Sequence, residues 1–237
     1  MRSVAHEMFA PSNGERLLDV GCGVGEVARQ LAVAVGDRGT VVGLDRSREM
    51  IATAESRRDG SRVAYAVGDI ASLDYPADHF DGVRCERVLQ HLEDPDGALA
   101  ELVRVTRSGG RICVIDTDWS SLTHDGFDGL ETLLDHLPFH PRHLNVGRTI
   151  RARMSRAGLR SVTTYPVTLR FTTPDDAAHV IAFFDHRTMS MWRSVPDDVA
   201  ERFRTAITEA GDRSQFLVAL TIWITQGRVP VDGVTLS

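Results

Sequence analysis

The sequence has 237 residues, of which 42% are hydrophobic and 25% are charged, and its formal net charge is −6. These values are typical of a water-soluble globular protein with a full core. The acidic balance argues against a nucleic-acid-binding protein, which is expected to carry a basic face. No apolar run approaches the length of a membrane span. The odd number of cysteines, three without a C-x-x-C pair, favours a reducing cytoplasm. The oligomeric state stays open between a monomer and a homodimer.

The predicted elements of the first half alternate between strands and helices. The pattern indicates strands at 16–20, 40–45, 62–67, 79–84 and 110–116, and helices at 26–35, 47–57 and 95–106. The strands are nearly continuous apolar runs, which is typical of strands that are buried on both faces of a parallel sheet. We therefore predict an α/β fold with helices on both sides of the sheet.

The second half is predicted to be less regular. Residues 117–145 are rich in His, Asp, Gly and Pro and indicate a long loop with a short helix near 126–136. The sequence Thr173-Pro174-Asp175-Asp176 indicates a helix start, with an N-cap, a first-turn proline and acids at the positive end of the helix. The predicted elements are a helix at 147–157, a strand at 160–170, helices at 174–187 and 196–210, and a strand at 215–226.

The first strand ends in a glycine-rich turn. Gly21, Gly23 and Gly25 alternate with other residues, and a helical apolar pattern begins directly afterwards. Glycines permit positive φ and let backbone N–H groups approach a ligand without an intervening Cβ. The turn therefore predicts a nucleotide-like cofactor, but it leaves its identity open. Gly23 to Ala28 also fits the dinucleotide pattern G-x-G-x-x-G/A, with Asp45 where a ribose-binding acid is expected.

Asp19, two residues before Gly21, favours a cofactor other than a dinucleotide. A pyrophosphate would gain little from an anion at this position. A cofactor with a cationic amino-acid end would be attracted by it. The pattern Asp-x-Gly-x-Gly-x-Gly resembles motif I of the class I S-adenosylmethionine (SAM) dependent methyltransferases, in their small-molecule, ubiquinone/menaquinone-biosynthesis-type branch. Four later segments resemble the same family in order and spacing: 40–45, 67–70, 80–84 and 108–116.

The resemblance implies a Rossmann-like, seven-stranded, mostly parallel sheet whose last strand is antiparallel. In that family the sixth and seventh strands are adjacent, whereas about forty-five residues separate them here. We therefore expect a helical lid insertion at 174–212 within a single domain, 1–237. Only about fourteen residues precede the first strand, where many relatives have helices that close over SAM. The expected site is accordingly more open, or is completed by a partner chain.

The resemblance also implies which residues bind SAM. Asp45 is expected to accept both ribose hydroxyl protons, Asp69 to accept from the adenine amino group, and Asp19 to hold the ammonium. Met50 is expected either to pack on the adenine face or to fill the core. The segment that begins at Cys85 is expected to offer backbone carbonyls to the ammonium. The remaining predicted cofactor-binding residues are Gly21, Cys22, Gly23, Gly25, Arg46, Gly68, Ile70, Glu86 and Arg87.

Catalytic residues are predicted at two places. His91 resembles the base of some small-molecule methyltransferases, against the alternative of a helix-start histidine bonded to a carbonyl. Asp116, at the carboxyl end of a strand, is expected either to orient the acceptor or to cap a loop. The predicted acceptor pocket comprises Asp118, Trp119, His140, His143, Met191 and Trp192. No metal is expected, because prolines interrupt the histidine-rich segment and no zinc-like spacing completes a set.

The sequence therefore predicts a methyltransferase that transfers a methyl group from SAM to a small molecule in bacterial specialised metabolism and gives S-adenosylhomocysteine. Two alternatives stay open. One is a protein of the same fold that uses the cofactor differently, as a cyclase or a binding protein. The other is a nicotinamide-dependent oxidoreductase.

Overall fold

The computed structural model describes residues 2–137, 142–185 and 190–231. Seven strands are β1 Arg16–Val20, β2 Thr40–Asp45, β3 Val63–Val67, β4 Phe80–Glu86, β5 Thr106–Asp125, β6 Arg160–Phe171 and β7 Leu217–Arg228. The α-helices are α1 Arg2–Phe9, α2 Glu26–Val35, α3 Arg48–Ser56, α4 Pro95–Val105, α5 Leu130–His136, α6 Val146–Arg156, α7 Pro174–Ala178 and α8 Asp197–Asp212. Single 3-10 turns occur at Leu89–His91, Ala182–Phe184 and Ser190–Ser194.

The strands form one sheet in the order β3-β2-β1-β4-β5-β7-β6. The neighbours from β3 to β5 pair in parallel, with Asp19 opposite Gly43 on β2 and Arg84 on β4. The last strand is antiparallel. The predicted fold class is thus confirmed. Because the connections reverse direction between β1 and β4, the carboxyl ends of these strands border the crevice where open α/β sheets bind ligands.

The chain divides into two compact units. The first unit comprises Met1–Thr117, Asn145–Val167 and Ile222–Ser237, and the second comprises Asp118–Leu144 and Thr168–Thr221. The core of the first unit contains aliphatic residues of the sheet and of the helices, among them Leu18, Val83, Leu99, Ile112 and Ile150. The core of the second unit is aromatic, with Phe127 stacked on Phe216 at 5.0 Å and near Phe184 and Phe203. Residues 174–212 fall in the second unit, and their function as a lid within one domain stays a prediction.

Two predicted elements of the second half are wrong. The expected loop after residue 116 is strand as far as Asp125, because Trp119 is buried in the aromatic core and Ser121 accepts a hydrogen bond from the Thr221 N–H at 2.9 Å. The helix expected at 174–187 ends at Ala178. Ala182–Phe184 instead form a 3-10 turn, in which Phe183 and Phe184 are buried in the aromatic core.

A helix that the sequence analysis did not predict, α1, precedes the sheet. Phe9 at its end is fully buried, and the Arg111 guanidinium lies 4.7 Å from the centre of the Phe9 ring. Arg111 also donates to the carbonyls of Phe9 and Ala10 and to Glu15. The segment before β1 is therefore attached to β5 by a buried arginine. Among the helices that the structure describes, none is long and apolar enough to cross a membrane.

Candidate functional site

The glycine turn between β1 and α2 has the geometry that the sequence predicts. Gly21, Gly23 and Gly25 have φ of 71°, 53° and 77°, a region that favours glycine. The N–H groups of Gly21 and Cys22 both donate to the Leu44 carbonyl, at 2.7 and 3.0 Å, and hold the turn against β2. A Cβ on Gly21 or Gly25 would collide with neighbouring side chains, whereas a Cβ on Gly23 would have no heavy atom within 4 Å. The backbone at Gly23 therefore borders open space that a ligand can enter.

Asp45 connects the end of β2 to this turn. One carboxylate oxygen accepts from the Gly23 N–H at 2.9 Å, and the other accepts from the Ser47 N–H at 2.9 Å. Ser47 in turn caps α3 by accepting from the Met50 N–H at 3.2 Å. Each carboxylate oxygen has a second lone pair and can accept one more hydrogen bond. Asp45 is thus a fixed acceptor beside the open backbone of Gly23, and ribose binding stays a prediction.

The residues predicted around the adenine lie at the ends of β2 and β3. Asp69 is exposed and accepts from the Ala71 N–H at 2.9 Å, as a turn aspartate does. The Gly68 N–H donates to the Asp45 carbonyl at 3.0 Å, which joins the two strand ends. Ile70 packs into the core, whereas Met50 is 45% exposed. The core-filling alternative for Met50 is therefore wrong, and its side chain is accessible to a ligand.

A buried ionic cluster lies beneath the turn. Asp19 accepts from Arg84 at 3.3 Å through one oxygen, and Arg84 also donates to Glu86. The other Asp19 oxygen is buried and has no hydrogen-bond partner among the described residues. Burial raises the pKa of Asp19 to about 6, against the opposing effect of the Arg84 charge. The Asp19 carboxylate is consequently ionised at neutral pH, and its oxygen without a partner can accept a hydrogen bond from a cationic group.

The segment after β4 makes a sharp turn. Arg87 has a positive φ of 57°, and its N–H donates to the Ile115 carbonyl at 2.8 Å.

The Cys85 side chain is fully buried in the core, and burial raises its thiol pKa well above the usual value. Burial, followed by the charges of Asp19 and Asp45, raises the pKa of Cys22 to about 12. Both thiols are protonated at neutral pH, so neither is a nucleophile there.

His91 closes the 3-10 turn that follows. Its Nε2 atom lies 3.1 Å from Nε2 of Gln90, and its backbone N–H donates to the Val88 carbonyl at 3.0 Å. Partial burial, then the positive charges of Arg87 and Arg46, lower the pKa of His91 below its usual 6.5. The imidazole is therefore neutral at physiological pH, which is the state that a general base requires.

Asp116 is fully buried within β5, which continues to Asp125, and it lies level with the carboxyl end of β4, where Glu86 pairs with Ile115. One oxygen accepts from the Thr117 N–H at 2.9 Å and the other accepts from the Gln90 N–H at 3.2 Å. Burial raises its pKa to about 7, although these backbone donors oppose the shift. Asp116 thus fastens the turn that carries His91. This geometry supports the loop-capping interpretation of Asp116 over direct contact with an acceptor.

The residues predicted for the acceptor pocket belong to the second unit. Trp119 packs in its aromatic core, 6.1 Å from Phe183, and Trp192 packs at the edge of that core, 6.1 Å from Phe203. Asp118 is buried, and its carbonyl accepts from the Ser121 hydroxyl at 2.6 Å. His143 precedes α6, and Met191 is in the turn Ser190–Ser194. His140 lies outside the described residues. A pocket formed by these residues stays a prediction.

Sequence reasoning missed several residues of the first unit that shape this site. The Tyr65 hydroxyl donates to the Gly25 carbonyl at 3.4 Å, and Arg29 donates to the Val24 carbonyl at 3.0 Å, so both support the turn from below. Arg84 was also missed. Arg84 could have been identified from the sequence, because a charged side chain among the buried residues of the strand Phe80–Glu86 requires a partner.

The residues brought together fit the predicted cofactor. The buried, partnerless oxygen of Asp19 suits an ammonium, Asp45 suits a diol, and the open backbone of Gly23 permits close approach. Within residues 2–137, 142–185 and 190–231, no group of three or more His, Cys, Asp or Glu residues is arranged to hold a metal ion.

Comparison with known proteins agrees with this geometry. Residues 18–114 match a family model described as a methyltransferase domain. The chain is 35% identical over 189 residues to an uncharacterized 37.1 kDa protein in transposon Tn4556 of Streptomyces fradiae, covering 76% of this chain and 53% of that protein. It is 34% identical over 119 residues to a 2-phytyl-1,4-naphtoquinone methyltransferase of Synechococcus elongatus, covering 48% of this chain and 51% of that protein. The chain thus spans about half the length of these curated relatives.

A solved structure extends the similarity over most of the chain. The YcgJ protein of Bacillus subtilis has a TM-score of 0.65 and 21% identity, and the match covers 97% of this chain and 99% of that chain. At this identity the likeness is one of fold. The family resemblance predicted from the motifs is confirmed for the segment that contains the glycine turn, Asp45 and His91.

Proposed function

We propose that this chain, which carries a methyltransferase domain at residues 18–114, transfers the methyl group of SAM to a small-molecule acceptor and releases S-adenosylhomocysteine. The observation that carries the proposal is the buried Asp19 oxygen without a partner, next to a glycine turn whose Gly23 backbone faces open space. An anion at this point suits the cationic amino-acid end of SAM and does not suit the pyrophosphate of a nicotinamide dinucleotide.

The binding residues act through hydrogen bonds. Asp45, held in place by the Gly23 and Ser47 N–H groups, accepts from the ribose hydroxyls. Asp69 accepts from the adenine amino group, and the exposed Met50 covers the ring. Asp19 holds the ammonium, together with backbone carbonyls of the segment that begins at Cys85. These contacts orient the cofactor, and orientation supplies much of the rate enhancement in a displacement between two bound molecules.

SAM supplies a methyl group on a sulfonium, a carbon already activated for in-line displacement. The chain's own residues exclude water, position the acceptor and remove its proton where the acceptor is a hydroxyl or an ammonium. His91 is the base for this step, because its lowered pKa keeps the imidazole neutral. Asp116 positions His91 by fastening the turn Leu89–His91.

The acceptor is a small organic molecule of bacterial specialised metabolism, and the protein acts in the cytoplasm as a monomer or homodimer. The net charge of −6 disfavours a nucleic-acid acceptor. The similar Synechococcus protein is by its name a quinone methyltransferase, which supports an acceptor of that size class. Within the second unit, residues 174–212 form the lid that selects the acceptor.

Calorimetry and a product assay test the proposal directly. The protein should bind SAM and S-adenosylhomocysteine, and it should release S-adenosylhomocysteine when a library of small phenols, quinols and amines is supplied with SAM. Failure to bind either ligand, with tight binding of NAD, would establish an oxidoreductase instead. Conversion of an acceptor without release of S-adenosylhomocysteine would establish a cyclase-like use of the cofactor.

Replacement of Asp45 should weaken the binding of SAM. Asp45→Ala removes hydrogen bonds to the ribose, so we expect a loss of about 1.5–3 kcal/mol in binding free energy, measured by calorimetry. Asp37→Ala is the matched control, because Asp37 is 94% exposed, and its SAM affinity should equal that of the wild type. A folded Asp45→Ala protein with unchanged affinity would remove Asp45 from the binding site.

Replacement of Trp192 should affect the acceptor and leave the cofactor alone. Trp192→Ala is expected to raise the acceptor KM or change the range of acceptors, because it opens the edge of the aromatic core within residues 174–212. The affinity for S-adenosylhomocysteine should stay within about twofold of the wild-type value, since we assign Trp192 to acceptor recognition. Tyr165→Ala, at a 55% exposed position of β6, is the control. An equal loss of cofactor affinity in Trp192→Ala would make residues 174–212 a cofactor clamp.

A further inference from the structure

The connection between β3 and β4 is held by two charged residues that the proposed function has not yet used. It comprises residues 68–79, all of them described by the structure, and contains no helix, although β2 and β1 lie between β3 and β4 in the sheet. A connection without regular structure has backbone N–H and C=O groups that need other partners. Glu101 and Arg104, one turn apart on α4, supply such partners.

Arg104 binds this connection through its planar guanidinium. Its two terminal nitrogens donate to the carbonyls of Leu73 at 2.8 Å and of Tyr75 at 2.7 Å. The guanidinium also donates to both carboxylate oxygens of Glu101, in each case at 2.8 Å. One of these oxygens accepts from the Leu73 N–H at 3.0 Å. Leu73 is thus held by α4 through its N–H and through its carbonyl.

The helix that carries these two residues is fixed to the core of the first unit. Leu99 and Leu102 on α4 are fully buried there, whereas the side chains of Glu101 and Arg104 are 23% and 37% exposed. The hydrogen bond from Arg104 lowers the pKa of Glu101 to about 2, with a smaller contribution from the Leu73 N–H. The pair is therefore ionised at neutral pH and bound to a helix that cannot easily move.

The residues held in this way follow directly on the segment that we assign to the adenine. Asp69 begins a tight turn, in which its carbonyl accepts from the Ser72 N–H at 3.1 Å. On the other side, the Gly68 N–H donates to the Asp45 carbonyl at 3.0 Å. Asp69 therefore lies between two points of attachment, the end of β2 and the contacts of Leu73 with α4.

The position of Asp69 depends mainly on its backbone. Its side chain is exposed, and one carboxylate oxygen accepts from the Ala71 N–H at 2.9 Å, within the same turn. The carboxylate has further lone pairs that can accept from a ligand. Since hydrogen bonds weaken steeply when their distance and angle depart from the ideal, such an acceptor selects an amino group when its backbone is held in place.

We propose that Glu101 and Arg104 are positioning residues for the recognition of the adenine, because they fix the backbone after Asp69 and so hold its carboxylate at the amino group of the base. This inference rests on the proposed function, since it takes SAM as the ligand. It assigns part of the selection of the base to two residues of α4 that do not contact the cofactor.

Two ligands that differ at the amino group of the base test this assignment. Calorimetry is carried out on the whole chain with S-adenosylhomocysteine and with S-inosylhomocysteine, in which an oxygen replaces that amino group. The wild type should bind S-adenosylhomocysteine about 10- to 100-fold more tightly, the usual effect of a hydrogen bond to a charged group. Arg104→Met, which keeps the apolar stem but removes the donors, should reduce this ratio to about threefold or less.

Two further variants complete the comparison. Glu101→Gln should give an intermediate ratio, because the amide oxygen can still accept from the Leu73 N–H but the charge that orients Arg104 is lost. Arg213→Met is the matched control, since Arg213 also pairs with a helical glutamate, Glu209, at 2.8 Å. Arg213→Met should keep the wild-type ratio. Urea denaturation of each variant shows that the protein used is folded.

The outcomes separate this inference from the proposed function. A folded Arg104→Met protein that keeps the wild-type ratio overturns the inference, even where both affinities fall together, because Arg104 then acts on stability alone. A wild type that binds both ligands equally also overturns it. If Arg104→Met fails to fold, Glu101→Gln decides, and an unchanged ratio in that variant overturns the inference. A wild type that binds neither ligand overturns the proposed function and this inference together.

Discussion

The His91→Asn variant is expected to lower kcat by about 10²- to 10⁴-fold, the usual contribution of a positioned general base. Asparagine keeps a hydrogen-bonding group of similar size but cannot accept the proton. The affinity for SAM should stay at the wild-type value, because His91 acts on the acceptor. The rate is measured with an acceptor found in the product assay, and the affinity is measured by calorimetry.

The pH dependence adds a second readout to this prediction. A base is active in its unprotonated form, so the wild-type rate should rise with pH as His91 loses its proton. Burial and the charges of Arg87 and Arg46 lower the pKa of His91, so this rise should be centred below pH 6.5. The His91→Asn profile should lack the rise altogether.

His79→Asn is the matched control for this variant. His79 also has a pKa lowered by burial, but it stands just before β4, at the opposite end of that strand from His91. Its kcat and pH profile should equal those of the wild type. A His91→Asn enzyme with wild-type kcat would assign His91 to structure. The remaining candidate bases would then be Asp116, Asp118, His140 and His143, or proximity alone would supply the rate.

The first half of the fold could be predicted because its signals are local. The observed bounds of β1, α2 and β2 agree with the predicted ranges 16–20, 26–35 and 40–45, since apolar runs alternate there with glycine turns. The second half depends on contacts between distant residues. The polar stretch Thr117–Asp125 is a strand because Ser121 and Trp119 have partners far along the chain, and no local pattern reveals them.

The candidate site likewise contains residues that could be located from local sequence and residues that could not. Gly23 and Asp45 could be located from their spacing, because both belong to one strand–turn–helix–strand segment. The pairing of Asp19 with Arg84 joins residues that are 65 positions apart and requires the strand order. The sequence places Asp116 near the sheet edge where the site is expected, but it does not show whether Asp116 orients an acceptor or caps a loop. The contact of Asp116 with the Gln90 N–H, which only the structure reveals, supports the loop cap.

The last prediction concerns Arg111, which attaches α1 to the sheet. Arg111→Met keeps the length and apolar stem of the side chain but removes the donors to Glu15 and to the carbonyls at the end of α1. Breaking a buried ion pair leaves the remaining acid and carbonyls without their partner, and it typically costs about 3–5 kcal/mol. Because Glu15 retains 17% exposure, we expect the lower end of that range, about 3 kcal/mol, in the free energy of unfolding.

Urea denaturation measures this loss, with Arg107→Met as the matched control. Arg107 lies on the same strand and pairs with Asp81 at 2.6 Å, but it is 49% exposed. Exposed pairs contribute about 0–1 kcal/mol, so the control should unfold close to the wild-type midpoint. Equal midpoints for both variants would mean that α1 is held by the packing of Phe9 alone.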